Sequence, residues 1–323
     1  MSTFFLGPGQ SPAPEDDALQ AEAAELALAW QGRLPDAGQL AQLSARHGLA
    51  LATAAFYQAV CRSLRHGPFV QQVNEQALIM TPGRRQLDLL VVPALFYQEK
   101  PQFGGDGRAL AELATGRGHR VAIAPLLSRG SMMANAERLV RYVDQAVAAP
   151  FWLVSLSKGG GEVRLALQMH PSDPVWQKVA GWLNISGLVQ GTPLVRRHQL
   201  TLQAFFRLAG VDPQTARELH PDYPAWRTPW QPPAHWQVIS VVGVPLKQHI
   251  RQRNTRWRYT QLARHGPNDG MALLPDLVIP AGLVYPLWGA DHFLQSPAVR
   301  LQMTQLLAYL EEEEQGSAGT VRL

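Results

Sequence analysis

The hydrophobic pattern divides the chain into three regions. Over the opening residues Gly, Pro and Ser interrupt every apolar run, which predicts a mobile tail over 1–14. From Glu15 to His66 apolar residues recur at helical spacing: Leu19, Ala23, Leu26 and Trp30, then Leu40 and Leu43, then Leu49 to Val60. Two or three helices are expected there, with Asp36 as an N-cap and Gly48 as a stop. Residues 15–76 therefore read as a helical N-terminal extension. Near residue 77 the period changes. The runs Ala77–Met80 and Leu87–Val92 flank a Thr-Pro-Gly-Arg turn at 81–84, which predicts a hairpin entering a sheet.

Strand-like and helix-like stretches then alternate. Strands are expected at His119–Ala124, Phe151–Val154, Val179–Ile185, Trp236–Val242 and Leu283–Trp288. Between them, Ala109–Ala114, Met132–Val147 (capped by Ser131) and Gly159–Met169 have helical periodicity. Such alternation predicts an α/β fold over 77–310, a doubly wound, mostly parallel sheet with helices on both faces. Two segments interrupt it. Residues 190–235 carry Phe205, Phe206, Tyr223, Trp226 and Trp230 and are too long for a simple connection. They are either a lid-like insertion or a helical excursion packed on the body. The second interruption is Lys247–Asn268. The last stretch, 311–323, begins with Glu311–Glu314 and reads as a frayed helix end and disordered acidic tail.

Composition narrows the classes. At 323 residues, 46% hydrophobic and 17% charged, the chain is neither disordered, nor collagen-like, nor a coiled coil. Cys61 is the sole cysteine, so no intramolecular disulfide forms. The start lacks a basic n-region with an apolar h-region, and no 18 apolar residues run together. A cytoplasmic protein with no transmembrane segment is the expectation. The net charge of +4 is modest, and its densest patch, Arg251–Arg258, reads as a solvated helix face or a loop held by carboxylates. No nucleic-acid partner is expected. The phosphate-loop pattern and H-E-x-x-H are absent, and Gly116-Arg-Gly118 closes a helix where a dinucleotide fingerprint would open one. No cofactor and no metal are expected.

The sharpest chemical feature is Leu153-Val-Ser-Leu-Ser-Lys-Gly-Gly-Gly161, in which an apolar strand runs into a helix through Ser155-Leu-Ser157-Lys-Gly159. It resembles the nucleophile elbow of the α/β-hydrolase superfamily, G-x-S-x-G, with Ser155 in place of the first glycine. A nucleophile in so tight a turn needs small neighbours two residues away on either side. The helix that follows lends positive potential to the reacting centre. The resemblance implies a serine hydrolase with the chain order nucleophile, acid, histidine. His292, in Trp288-Gly-Ala-Asp-His-Phe293 directly after the last predicted strand, is similar in place and wording to the family's histidine loop. For the acid, Asp173 comes too soon, Asp212 and Asp222 fall in the insertion, and Asp291 adjoins the histidine. Asp269, in Gly266-Pro-Asn-Asp-Gly270, resembles the acid loop of bacterial lipases and esterases, with Asp276 as the fallback.

By the same resemblance the oxyanion donors are the backbone N–H groups of Lys158 and Leu95. The latter lies in Pro93-Ala94-Leu95, where the family commonly has His-Gly-x. The implied activity is cleavage of a carboxylic ester or thioester with an apolar acyl group, through an acyl-enzyme on Ser157. The partner is then a small-molecule acyl ester or thioester, with Arg196, Arg197, Arg207 and Arg217 near the entrance for a polar head. Two alternatives remain open: an acyltransferase using the same residues, and a binding or receptor protein that has lost its chemistry.

Overall fold

In the computed structural model residues 14–76, 85–146 and 150–312 are described. The predicted tail over 1–13, the hairpin arm Ala77–Met80 with its turn, Val147 and the stretch from 313 lie outside them. Four helices come first: α1 (Pro14–Ala27), α2 (Ala37–His47), α3 (Leu49–Arg62) and α4 (Gly67–Asn74). Asp36 caps α2 by a capping box, its Oδ1 accepting from Gln39 N at 2.8 Å while Gln39 Oε1 accepts from Asp36 N at 2.9 Å. Gly48 separates α2 from α3 with a φ of 90°. The first three fall in the stretch expected to hold two or three helices; α4 lies beyond it, where Pro68 in its first turn restarts a helix after the break at Ser63.

The α/β body follows: β1 (Asp88–Val92), α5 (Arg108–Gly116), β2 (Arg120–Ile123), α6 (Met132–Ala146), β3 (Phe151–Leu156), α7 (Lys158–Met169) and β4 (Val179–Ile185). The long excursion contains α8 (Pro193–Leu208), α9 (Gln214–Glu218) and α10 (Pro224–Arg227). Then come β5 (Gln237–Val244), α11 (Arg253–Leu262), β6 (Leu283–Trp288) and α12 (Pro297–Glu312). Ser131 caps α6 as expected, its Oγ accepting from Ala134 N at 3.2 Å.

The six strands form one parallel sheet in the order β2-β1-β3-β4-β5-β6. Every residue of β3 is buried, as a central strand covered on both faces requires. Both edges of β1 are taken by parallel neighbours, so this strand has no edge for the antiparallel partner that the hairpin expectation required.

The N-terminal helices share the core of the sheet. Phe56 and Val60 of α3 and Phe69, Val70 and Val73 of α4 belong to the same buried cluster as the strands. Phe69 meets Tyr285 of β6 and Tyr309 of α12 edge-on, at centroid distances of 6.1 and 5.2 Å. Tyr57 stacks at 5.3 Å on Trp288, at the end of β6. At the far end of the chain Glu311 and Glu312, the described part of the acidic stretch, belong to α12. Glu311 is buried inside α12 and takes a two-point ion pair from Arg117, Nε–Oε1 2.7 Å and Nη2–Oε2 2.8 Å. A carboxylate with a buried guanidinium within reach is worth ordering, so the helix continues past the expected fraying point.

Replacing Phe69 with Ala should lower stability by about 3–5 kcal/mol, because one ring fills the junction of α4, β6 and α12. The denaturation midpoint in guanidinium chloride reads this directly, and a loss under ~1 kcal/mol would show that the N-terminal helices are not integral to the core.

Candidate active site

The site starts from a backbone constraint. Ser157, between β3 and α7, has φ 49° and ψ −115°, a conformation that costs a non-glycine residue of order 1–3 kcal/mol. It persists because the turn is hemmed in. A Cβ on Gly159 would lie 2.4 Å from Val92 O at the end of β1. One on Gly160 would lie 2.5 Å from Asn184 Oδ1, and one on Gly161 would strike Met132 and Leu188 O. The glycine run thus lets α7 press its first turn against β1 and β4. Only the position of Ser155 departs from the expected small-residue rule, and the structure explains why. Its Oγ donates to Asn184 Oδ1 at 2.7 Å and accepts from Trp182 Nε1–H at 2.8 Å, so the hydroxyl completes a buried pair of polar groups on β4.

That bond belongs to a polar row across the sheet. Ser155, Asn184 and Ser240 are lateral partners on β3, β4 and β5. Ser240 Oγ accepts from Ile279 N at 3.0 Å. The row therefore ties the elbow to the segment returning from the acid loop.

Ser157 Oγ lies 2.8 Å from His292 Nε2, and His292 Nδ1 lies 2.6 Å from Asp269 Oδ2. The imidazole and the carboxylate are buried, and Ser157 is half-buried at the surface end of the relay. Asp269 is held on its other oxygen, where Oδ1 accepts from Met271 N at 2.7 Å and Ala272 N at 2.8 Å. The acid and histidine loops are also joined by their backbones, His292 N donating to Asp269 O at 2.9 Å. With the Nδ1 proton directed at Asp269, Nε2 is left as the acceptor for the serine hydroxyl.

The fallback acid, Asp276, makes no bond to His292. It sits in a short helical turn at Leu274–Leu277, where burial pushes its carboxyl up to about 6.

In the turn after β1 the expected donor has room to act. Ala94 N donates to Gly105 O at 2.8 Å and Phe96 N to Ser128 O at 3.1 Å, so both neighbours of Leu95 are committed. The N–H groups of Leu95 and Lys158 meet no acceptor among the described residues. The left-handed residue here is Phe96, with φ 62°, and Ala94 needs no glycine-like freedom.

The Lys158 side chain turns away from the site into a buried ion pair with Glu162, one turn along α7. Burial pushes Glu162 up and Lys158 pulls it back, while Asn135 Nδ2 donates to its Oε1 at 2.7 Å.

The insertion aromatics divide. Trp226 and Trp230 clamp the guanidinium of Arg164 from α7, each ring centroid 4.9 Å away. Arg164 donates to Val189 O, Ala225 O, Trp226 O and Thr228 O, and Trp230 also contacts Trp182. These rings anchor the excursion to the body, as does buried Phe206, whereas Phe205 is exposed. Arg196 is engaged by Asp222 at 2.7 Å. The Arg197 side chain lies outside the described ones. An aromatic pair beside His292 has a different source that the sequence did not flag: Phe293 packs edge-on against His292 at 5.4 Å, and Phe103 lies 6.3 Å from Phe293. Among the described residues no cluster of three or more His, Cys, Asp or Glu could hold a metal ion, and no helix is long and apolar enough to cross a membrane.

Solved structures share this architecture. A metagenomic carboxyl esterase is similar over 75% of this chain and 79% of its own, with a TM-score of 0.61 at 18% identity. The mature lipase of Bacillus licheniformis covers 71% of this chain and 91% of its own (TM-score 0.52, 18% identity). Lipase 1 from Pelosinus fermentans covers 71% and 99% (0.51, 12%). The chain has the α/β-hydrolase fold. No family model and no curated protein matches the sequence.

Ser155→Ala should cost about 1–3 kcal/mol, because it strands the Trp182 indole N–H and the Asn184 carbonyl in a buried site. Thermal denaturation of the variant measures the loss, and an unchanged midpoint would remove the hydroxyl from the elbow's support.

Proposed function

We propose that this protein is a serine hydrolase that cleaves a carboxylic ester or thioester through an acyl-enzyme on Ser157. The observation that carries the reading is the continuous relay Ser157 Oγ–His292 Nε2–His292 Nδ1–Asp269 Oδ2 at 2.8 and 2.6 Å, ending on a serine at a strained elbow. The fold shared with an esterase and two lipases supports it.

In this mechanism His292 Nε2 takes the proton of Ser157 as Oγ attacks the acyl carbonyl. Asp269 holds the ring in the productive tautomer and stabilises the imidazolium. The oxyanion receives the unengaged N–H groups of Leu95 and Lys158, each donor of this kind being worth roughly 3 kcal/mol in the transition state. His292 returns the proton to the leaving alcohol or thiol. It then activates water, whose attack releases the acid and regenerates Ser157.

The acyl group is apolar in this reading, and the support moves from the insertion to Phe293 beside the imidazole and the exposed Phe103 next to it, with Leu95 and Phe96 half-exposed in the turn after β1. Apolar surface of this kind can be covered by an acyl chain and suits medium-length chains over acetyl.

Ser157→Ala should reduce ester hydrolysis about a millionfold and abolish fluorophosphonate labelling, and Asp269→Asn should cost about 10⁴ in kcat. Retained labelling in Ser157→Ala would place the nucleophile elsewhere. In a separate measurement, p-nitrophenyl octanoate should exceed the acetate in kcat/KM. Phe103→Ala should then lose about 1 kcal/mol of that preference, roughly fivefold. A native enzyme that favours acetate defeats the assignment of the apolar wall.

A further inference from the structure

Each of the two segments that supply the oxyanion donors holds a non-glycine residue in the left-handed region. Ser157, with φ 49°, shares a peptide with Lys158, and Phe96, with φ 62°, shares one with Leu95. Such conformations persist only where their surroundings over-determine them, and relaxing either would turn the residue beside it. One run of buried hydrogen bonds reaches both.

The run starts at the Lys158 ammonium, whose partner Glu162 lies one turn along α7. Glu162 Oε1 also accepts from Asn135 Nδ2 of α6 at 2.7 Å. The Asn135 carboxamide clasps the backbone of Leu127 at two points. Its Nδ2 donates to Leu127 O at 3.0 Å and its Oδ1 accepts from Leu127 N at 2.9 Å. The residues on either side of Leu127 are bonded in turn to the segment after β1. Leu126 O accepts from the Tyr97 hydroxyl at 2.8 Å, and Ser128 O accepts from Phe96 N at 3.1 Å. Ser128 Oγ accepts from Gln98 N at 3.3 Å and donates to Glu99.

Lys158, Glu162, Asn135, Leu126 and Ser128 are each no more than 5% exposed, so bulk water does not compete for these bonds. The junction also needs an asparagine. Leu127 takes one donor and one acceptor and Glu162 takes a second donor, which a single carboxamide supplies and a carboxylate does not. The two segments meet directly as well. A Cβ on Gly159 would lie 2.4 Å from Val92 O and 3.0 Å from Pro93 O, so α7 begins against the residues that lead into Leu95.

We infer that Asn135 and Glu162 are positioning residues: their hydrogen bonds fix the Lys158 peptide and the turn of Leu95 relative to each other, and so present both N–H groups to the oxyanion. This rests on the reading of Ser157 as the nucleophile and of those two groups as its oxyanion donors. The relay from Ser157 through His292 to Asp269 contains none of these bonds. Loss of the run therefore weakens the transition state and leaves substrate binding in place.

Asn135→Leu removes all three bonds of the carboxamide. It should lower kcat for p-nitrophenyl acetate roughly 10–100-fold with KM little changed. Inhibition by hexyl trifluoromethyl ketone, which forms a hemiketal oxyanion on Ser157, should weaken by the same factor. Glu162→Leu should show the same split, and Glu162→Gln, which keeps an oxygen for Asn135 and Lys158, should recover most of the loss. A purely structural role lowers the melting temperature and leaves kcat and the ketone's Ki unchanged in the folded protein. That result, or a rise in KM alone, overturns the inference, and with Ser157→Ala inactive and insensitive to the ketone the hydrolase reading still stands. Turnover surviving in Ser157→Ala overturns that reading instead. If the α6 and α7 variants do not fold, Tyr97→Phe decides. Losing only the bond to Leu126 O, it should lower kcat and weaken the ketone about threefold, and unchanged values overturn the inference.

Discussion

The site depends on the close approach of α7 to the ends of β1 and β4. With Val92 O 2.4 Å from where a Cβ of Gly159 would sit, the first turn of α7 reaches the sheet only because residues 159–161 have no side chains. That approach forces Ser157 into its left-handed conformation and lifts Oγ out of the strand end. It also leaves the N–H of Lys158 unengaged at the start of α7, where the proposed mechanism uses it together with the N–H of Leu95. Loss of any of these glycines would act on Ser157 and on the Lys158 N–H together.

Around this turn the protein buries charge in amounts that stability alone does not explain. Lys158 with Glu162 lies under the elbow, Glu218 accepts from Met132 N and Met133 N at the start of α6, and Arg164 lies between two indoles with only carbonyls as acceptors. Removing such groups from water costs several kcal/mol each before pairing repays it. Each group spans two elements: α7 to α6 through Asn135, α9 to α6 through Glu218, and α7 to the insertion through Arg164. Their common effect is to fix the relative placement of segments that the apolar core would let slide.

The readable parts of the sequence were those whose chemistry and geometry are local. An apolar strand breaking into Ser-Lys-Gly-Gly-Gly reads directly as a tight strand-to-helix turn, and His292 directly follows the strand that positions it. Five of the six strands followed from buried apolar runs, and the edge strand β2 from its short apolar alternation. The first hairpin did not, since a short apolar run does not say which neighbour it pairs with, and β1 is bounded on both sides by strands far along the chain. The insertion's aromatics were ambiguous for the same reason: Trp226 and Trp230 look alike as pocket walls or as anchors until Arg164, sixty residues earlier, is placed between them. Phe103 drew no notice because its neighbour Phe293 is distant in sequence.

The delayed position of Asp269 shows why chain spacing constrains an acid loop so weakly. Some 25 residues, including α11, separate it from the end of β5, and yet its carboxylate meets His292 at 2.6 Å. The distance along the chain is immaterial because the loop carries its own supports. Asp269 Oδ1 closes a turn on Met271 N and Ala272 N, Asn268 bridges to Leu273, and His292 N bonds to Asp269 O. The intervening helix is then free to vary. Asp276 has the same side chain in a segment without these supports, and its half-buried carboxyl meets no ring. What brings Asp269, and not Asp276, to His292 is the loop's internal hydrogen bonding, which the Asn-Asp-Gly wording encodes locally and the count of intervening residues does not.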